Sequence, residues 1–345
     1  MTETVSGMQE SDTKTKLLKN FWYGIEHSQK VKIKPITICF MGHDLVLYRG
    51  SEGQLIALDG RCVHRGTELS AGWLEGDCIR CPYHGWRYEA DGICSDIPAN
   101  QSNASIPKRA KLRSYPVREQ YGLIWLFWGD LPIDDCPPIP PLPEFGTAGW
   151  QTVTGEFNWS GHYTRVIANT IDMAHAPFVH ASAFGRKSAP AVPEYKLELG
   201  EWSASGFITF ETKPAYSLKF ILGSDPPDGV FRATFYMPNI SRVDLKFGKF
   251  QFVLFLVHLP VSESQTVTKW LHIRNFIRTP LADSFMARDV VKTFTQDNNA
   301  VRLQSGAASH DLKTEVHTAS DALEVAFHKF CNQAATLQKQ VENDF

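Results

Sequence analysis

Two short hooks, Cys62-Val63-His64 and Cys81-Pro82-Tyr83-His84, hold the residue types in this chain best able to do chemistry. Each hook offers one thiolate and one imidazole from a few consecutive residues. Together they fit a [2Fe–2S] cluster in which one iron is held by two thiolates and the other by two imidazoles. Exchanging thiolate for neutral imidazole removes negative charge and raises the potential, to somewhere in roughly −150 to +300 mV. Such a centre passes single electrons, so a destination for them must lie elsewhere in the chain. A tetrahedral zinc is the competing reading of Cys62, His64, Cys81 and His84. Cys78 also makes a Cys-x-x-Cys with Cys81, but without a βαβ context. Cys39, Cys94, Cys136 and Cys331 read as small hydrophobes.

A second candidate site starts at Asn169-x-x-Asp172-x-x-His175, followed by His180. The spacing predicts a helix over 163–175 with Asn169, Asp172 and His175 along one face. Pro177 should stop or kink that helix near Ala176, which lets His180 swing back toward His175. Two imidazoles that converge lack one carboxylate for a 2-His-1-carboxylate iron site. A long helix predicted over 282–303 supplies a candidate. Asp297 lies on its apolar stripe with Val290, Phe294 and Val301, where a lone carboxylate costs several kcal/mol unless positive charge meets it. A metal ion would meet it; a partly exposed aspartate beside Arg302 is the plainer alternative. Asn169 is close to this site by spacing, or is simply a polar residue on a helix. His162, His258 and His272 read as structural histidines that could otherwise line a pocket.

The elements that must position these groups fall into two parts. From Phe21 to Asp130 the chain reads as short strands, with Ile36–Phe40, Leu45–Tyr48 and Gly122–Trp128 the clearest, and both hooks lie in turn-rich segments between strands. Pro137–Pro143 is dense in proline and reads as a stiff spacer. The expected division is a tail over 1–16, a first domain over 17–136, a linker over 137–143 and a second domain over 144–345. In the second, strands are expected at 195–212, 230–237, 250–259 and 266–276, and a closing helix at 320–341. Strands bracketed by helices without a βα rhythm indicate an α+β domain with an antiparallel sheet. Phe207, Phe210, Phe235, Tyr236, Phe250, Phe252 and Phe255 are expected mainly to pack its core.

Composition narrows the partners. The formal charge of −2 leaves no basic field for nucleic acid or an anionic membrane. Seven cysteines in 345 residues are no disulfide framework and suit metal use in a reducing cytosol. Met1 to Lys16 is polar, with Glu3, Glu10 and Asp12, and reads as a disordered tail rather than a signal peptide. The longest apolar run, Phe250 to Pro260, is far short of the ~20 residues of a spanning helix.

Taken together, the hooks, the His175/His180 pair and the Gln-Asp-x₆-Gln stretch at 296–304 resemble the Rieske non-haem iron oxygenases, specifically their α-subunits. The resemblance runs from Phe21 into the last helix. It implies an N-terminal all-β Rieske [2Fe–2S] domain and a C-terminal helix-grip catalytic domain. It assigns His175, His180 and Asp297 as ligands of a mononuclear Fe(II), and it gives Asp172 a bridge from His84 of one subunit to His175 of the next. That bridge implies a ring, normally a homotrimer. Family members more often carry Glu or Asp where Gln296 stands. Thr67 and Tyr83 occupy the places where respiratory Rieske proteins have two further cysteines, so the cluster loop is of the oxygenase or ferredoxin type. No dinucleotide fingerprint is present, so electrons must come from a separate NAD(P)H-dependent reductase, with or without a ferredoxin.

The expected activity is monooxygenation with O₂: hydroxylation or O/N-demethylation of a small, apolar or aromatic compound. Arene cis-dihydroxylation uses the same metals and is the first alternative. A non-enzymatic electron carrier fused to a ligand-binding module is the second.

Overall fold

Aromatic and β-branched runs bounded by glycine build the first part of the molecule from short antiparallel strands. The computed structural model describes residues 17–101, 103–181, 190–210, 228–304 and 315–344; the expected tail over 1–16 lies outside them. Phe21–His27, Leu123–Trp128 and Val117–Gln120 form one sheet, and Ile36–Phe40, His43–Arg49, Leu55–Asp59 and Ser114–Tyr115 a second. The third sheet, Trp73–Glu75, Cys78–Arg80, Arg87–Tyr88 and Cys94–Asp96, flanks the second hook. Its core, shared with the second sheet, draws only on residues between Val46 and Leu112. Gly122 falls outside its expected strand because Tyr121 and Gly122 turn the chain at φ 58° and 69°.

The proline-dense segment is not a free spacer. Ile139 and Leu142 are buried with Trp22 and Phe127 from the first part and Phe255 and Ile273 from the second. Burial of those two side chains makes the segment a strap fastened to both parts.

The second part is one seven-stranded antiparallel sheet with helices on one face, so the chain as a whole is α+β. In spatial order the strands are Gln151–Trp159, Gln265–Arg274, Phe250–Ser262, Ile240–Phe247, Gly229–Tyr236, Ser203–Phe210 and Leu197–Leu199. The expected strand over 195–212 is two, joined at a turn where the Gly200 N–H donates to the Ser203 carbonyl at 2.9 Å; residues 211–212 lie outside the described ones. Gln151–Trp159 and Ile240–Phe247 were not expected as strands. Gln151–Trp159 is decided by pairing with Gln265–Arg274, remote in sequence, while Ile240–Phe247, with Arg242, Asp244 and Lys246 at alternate positions, is held by hairpins to both of its sequence neighbours. On that second strand the Arg242 guanidinium pairs with both Asp244 and Glu144, which keeps these charges in a half-buried place.

Alternation divides the sheet into two faces. Val253, Phe255, Val257, Leu271 and Ile273 pack on Trp125 and Phe127 of the first part. The intervening residues, Leu254, Leu256 and Trp270, meet the helices. The aromatics expected to pack the core therefore do not share one face: Phe255 belongs to the first face, Phe235 packs on Phe327, and Phe207 is 40% exposed. Glycine at 155 is required by this packing, since a Cβ there would lie 2.2 Å from the Trp270 indole.

Among the described residues the α-helices are α1 (Tyr163–Ile171), α2 (Ala176–Val179), α3 (Pro280–Val301) and α4 (Ala322–Asp344). The expected helix over 163–175 ends early. Asp172 is the C-cap of α1, with extended backbone (φ −69°, ψ 131°), and His175 is the N-cap of α2. Pro177 therefore opens α2 rather than breaking α1, a place where its missing N–H costs nothing. No helix among the described residues is long and apolar enough to cross a membrane.

Candidate metal centres

Both hooks form the same backbone loop. The Gly66 N–H donates to the Cys62 carbonyl at 2.8 Å and the Gly85 N–H to the Cys81 carbonyl at 3.0 Å. Both glycines sit at φ 70°, a conformation that side chains disfavour. Cys62 and Cys81 are buried, while the His64 and His84 rings lie side by side with centroids 4.6 Å apart. His64 stacks on Trp86 (4.6 Å, 6°), and Tyr83 covers His84 (3.9 Å) from the solvent side.

The donor set fits a two-iron cluster on three counts. Burial pushes the Cys62 thiol up, although a Tyr88 hydroxyl 3.1 Å from its sulfur pulls the other way, so a cation is needed to hold it as thiolate. Burial and the neighbouring His84 and Arg65 push His64 down, toward the neutral imidazole that binds metal, and its Nδ1 is buried with no hydrogen-bond partner. Third, a single tetrahedral ion would draw its donors within ~4 Å of one another. Among the described residues the only trio of His, Cys, Asp or Glu donors inside 4.8 Å lies elsewhere. Cys62, His64, Cys81 and His84 are thus spread too widely for one zinc. Cys78 points away from the pair and donates to Glu89 at 2.9 Å.

That trio is His175, His180 and Asp297. Nε2 of His175 is 3.3 Å from Nε2 of His180, and Asp297 Oδ1 is 3.4 and 3.0 Å from the two nitrogens. A facial array at right angles, with bonds of ~2.1 Å, needs donors ~3.0 Å apart. The break between α1 and α2 brings the two imidazoles together, as α2 turns His180 back over His175. Asp297 comes from α3, on the buried stripe with Val290, Phe294 and Val301. Phe294 fixes that helix by packing on Phe157 and Trp159 of the sheet, at centroid distances of 5.6 and 5.2 Å.

The electrostatics call for a cation. Asp297 Oδ1 is buried and no N–H is aligned to bond it. Burial alone would push this carboxyl up, but the two imidazoles hold it below the usual range. Burial likewise pushes His175 down, yet the Asp172 and Asp297 carboxylates outweigh it and raise His175 to about 9.

The polar groups around the trio are unequal. Asp172 Oδ2 lies 3.3 Å from His175 Nδ1, and its other oxygen accepts from the Ala174 N–H at 2.6 Å. Behind His180, Nδ1 is 2.8 Å from Gln296 Oε1. Asn169 shares α1 with neither histidine, but its Oδ1 is buried without a partner. Three further histidines make structural contacts. His162 caps α1, His258 lies between the hydroxyls of Ser241 and Thr268 at 2.8 Å each, and His272 stacks on Phe252. Tyr88 escaped the sequence reading; its place two residues past Trp86, on a strand facing Cys62, was the available signal.

Comparison with known proteins agrees with both centres. Residues 21–116 match the Rieske [2Fe-2S] domain family, and residues 159–337 match the vanillate O-demethylase oxygenase C-terminal domain family. The 4beta-methylsterol monooxygenase of Methylococcus capsulatus is 34% identical over 160 residues, covering 45% of this chain and 43% of that protein. The 5,5'-dehydrodivanillate O-demethylase oxygenase subunit of Sphingobium is 27% identical over 229 residues, 59% of this chain and 50% of that one. The chain thus spans about half the length of the curated relatives it matches. Dicamba monooxygenase with bound dichlorosalicylic acid shares the fold, at a TM-score of 0.78 and 23% identity over 94% of this chain and 99% of that one. Pseudomonas putida NdmA with caffeine does so at 0.77 and 23%, over 91% and 90%. With one family matched over the segment that carries the cluster hooks and the other over the segment that carries both histidines and Asp297, this chain belongs to the Rieske oxygenase α-subunits of the vanillate O-demethylase type.

Proposed function

We propose that the protein is the oxygenase component of a multi-component monooxygenase. The observation that carries this is the occurrence in one chain of two donor sets: a Cys₂His₂ pair of loops, and a buried His175/His180/Asp297 triangle with edges of 3.0–3.4 Å. When bound, the cluster supplies single electrons and the mononuclear iron supplies the site at which O₂ is activated. In this reading Cys62, His64, Cys81 and His84 hold the cluster. His175, His180 and Asp297 take one face of the iron and leave the rest open. Asn169 offers a buried acceptor on α1.

Asp172 is placed to orient His175 and remains 27% exposed, so its carboxylate can also reach a group from outside the protomer. His84 is exposed at the tip of its loop, on a core that shares no residue with the catalytic part. These features support a closed homotrimer in which His84 of one subunit meets Asp172 of the next. The absence of any dinucleotide motif supports a separate NAD(P)H-dependent reductase, with or without a ferredoxin. A small apolar or aromatic substrate is favoured by relatives named for methylsterols, toluene-4-sulfonate and dehydrodivanillate.

The test is iron content and O₂ uptake by the purified protein with a reductase. About three irons per chain are expected, one lost in Asp297→Ala while the cluster spectrum stays. Methoxyaromatics, N-methylated alkaloids and tetrapyrrole fragments are the compounds to screen. One ¹⁸O atom should enter the product; two on vicinal carbons would assign dihydroxylation. An iron count of two, with no coupled O₂ uptake, would reduce the protein to an electron carrier.

A further inference from the structure

The two imidazoles of the His175/His180/Asp297 triangle are backed by groups of different charge. Behind His175 stands a carboxylate, Asp172, at 3.3 Å. Behind His180 stands an amide, Gln296, at 2.8 Å. His180 is 2% exposed, so its Nδ1 cannot exchange this acceptor for bulk water. Gln296 immediately precedes Asp297 on α3, and one helical turn therefore supplies a donor of the triangle and the acceptor for another.

We propose that Gln296 is the positioning residue that locks His180 with its proton on Nδ1 and its Nε2 lone pair aimed at the metal. This rests on reading His175, His180 and Asp297 as the iron ligands. An amide oxygen only accepts, so the 2.8 Å contact requires Nδ1–H. The reverse assignment, with the amide flipped to donate, would put the proton on Nε2. That proton would then face Asp297 Oδ1 at 3.0 Å, but no N–H is aligned with this oxygen. The lone pairs converge beside the carboxylate instead of pairing with it.

Gln296 is neutral, unlike the Glu or Asp that family members more often carry at this place. A carboxylate there would add a second negative charge on the turn that already carries buried Asp297. An amide fixes the ring without that repulsion. Outer-shell partners of this kind are worth roughly 10–100-fold in metal affinity.

The experiment uses the full chain, with the mononuclear site emptied by chelator and the cluster intact, and titrates it with Co(II). Gln296→Met keeps side-chain length and removes the strong acceptor; Gln296→Leu is the second variant should methionine misfold. The variant is expected to bind Co(II) roughly 10–100-fold more weakly, with an altered d–d spectrum and an unchanged cluster absorption band. Gln296→Glu, which keeps an acceptor, is expected to recover most of the lost affinity. Wild-type affinity and spectrum in the methionine and leucine variants would overturn the proposal, as would equal losses in the methionine and glutamate variants. Failure of the ligand reading looks different: wild-type protein would bind no Co(II), or Asp297→Ala would bind it as tightly as wild type.

Discussion

Replacing Tyr88 with phenylalanine should lower the potential of the Rieske cluster. The Tyr88 hydroxyl lies 3.1 Å from the Cys62 sulfur, both side chains are buried, and burial raises the tyrosine far above its ordinary value. The phenol therefore stays protonated and can only stabilise negative charge on the sulfur. A hydrogen bond to a charged acceptor is worth ~1.5–3 kcal/mol. Only the part that strengthens on reduction shifts the potential, and the added electron is shared over the cluster. If about a third of the bond responds, the difference is ~0.5–1 kcal/mol, or on the order of 20–40 mV at 59 mV per tenfold change in a one-electron couple. Tyr88→Phe leaves the ring and its packing in place, so cluster content should hold. The assay is a redox titration followed by visible absorption or EPR, with Tyr115→Phe as the control. Tyr115 is likewise buried but bonds Asp59 at 2.8 Å, not a cluster ligand. A potential within ~10 mV of wild type, or one that rises, with iron and sulfide contents intact, would refute the reasoning.

Phe294→Ala should cost ~3–5 kcal/mol, because the ring fills the space between α3 and the Phe157/Trp159 wall; urea denaturation measures it, and metal affinity should fall as Asp297 loses its support. Burial drives His258 down from its ordinary 6.5 to about 3. The unfolded chain then binds a proton that the native state refuses, so this histidine removes stability as pH falls below about 6.5. At pH 5.5 the loss is ~1.4 kcal/mol relative to pH 8, and His258→Gln should show a correspondingly shallower pH dependence of its urea midpoint. Asp172→Asn should keep both metal sites full yet slow coupled O₂ uptake; unchanged turnover would remove the bridging role. The same variant should leave the cluster spectrum and the apparent molecular mass unaltered.

The chemistry of both centres was legible because it rests on contiguous residues. Cys-x-His and Cys-x-x-His each define a loop whose ligands converge by short-range geometry, with Gly66 and Gly85 turning the chain back. Asp297 was legible for another reason: a carboxylate among Val290, Phe294 and Val301 contradicts a buried helix face unless a cation meets it. The strand at 36–40 and the long helices followed from apolar periodicity in the same way. Tertiary structure decided the remainder. It ended α1 at Asp172, put Pro177 in the first turn of α2, and paired Gln151–Trp159 with the distant strand Gln265–Arg274. It also set Gln296 behind His180 and Tyr88 beside Cys62. A residue's own neighbours in sequence settle its backbone and the ligands it can offer. Which distant side chain comes within 3 Å depends on how α3 packs across the sheet, and that is fixed only when the whole core closes.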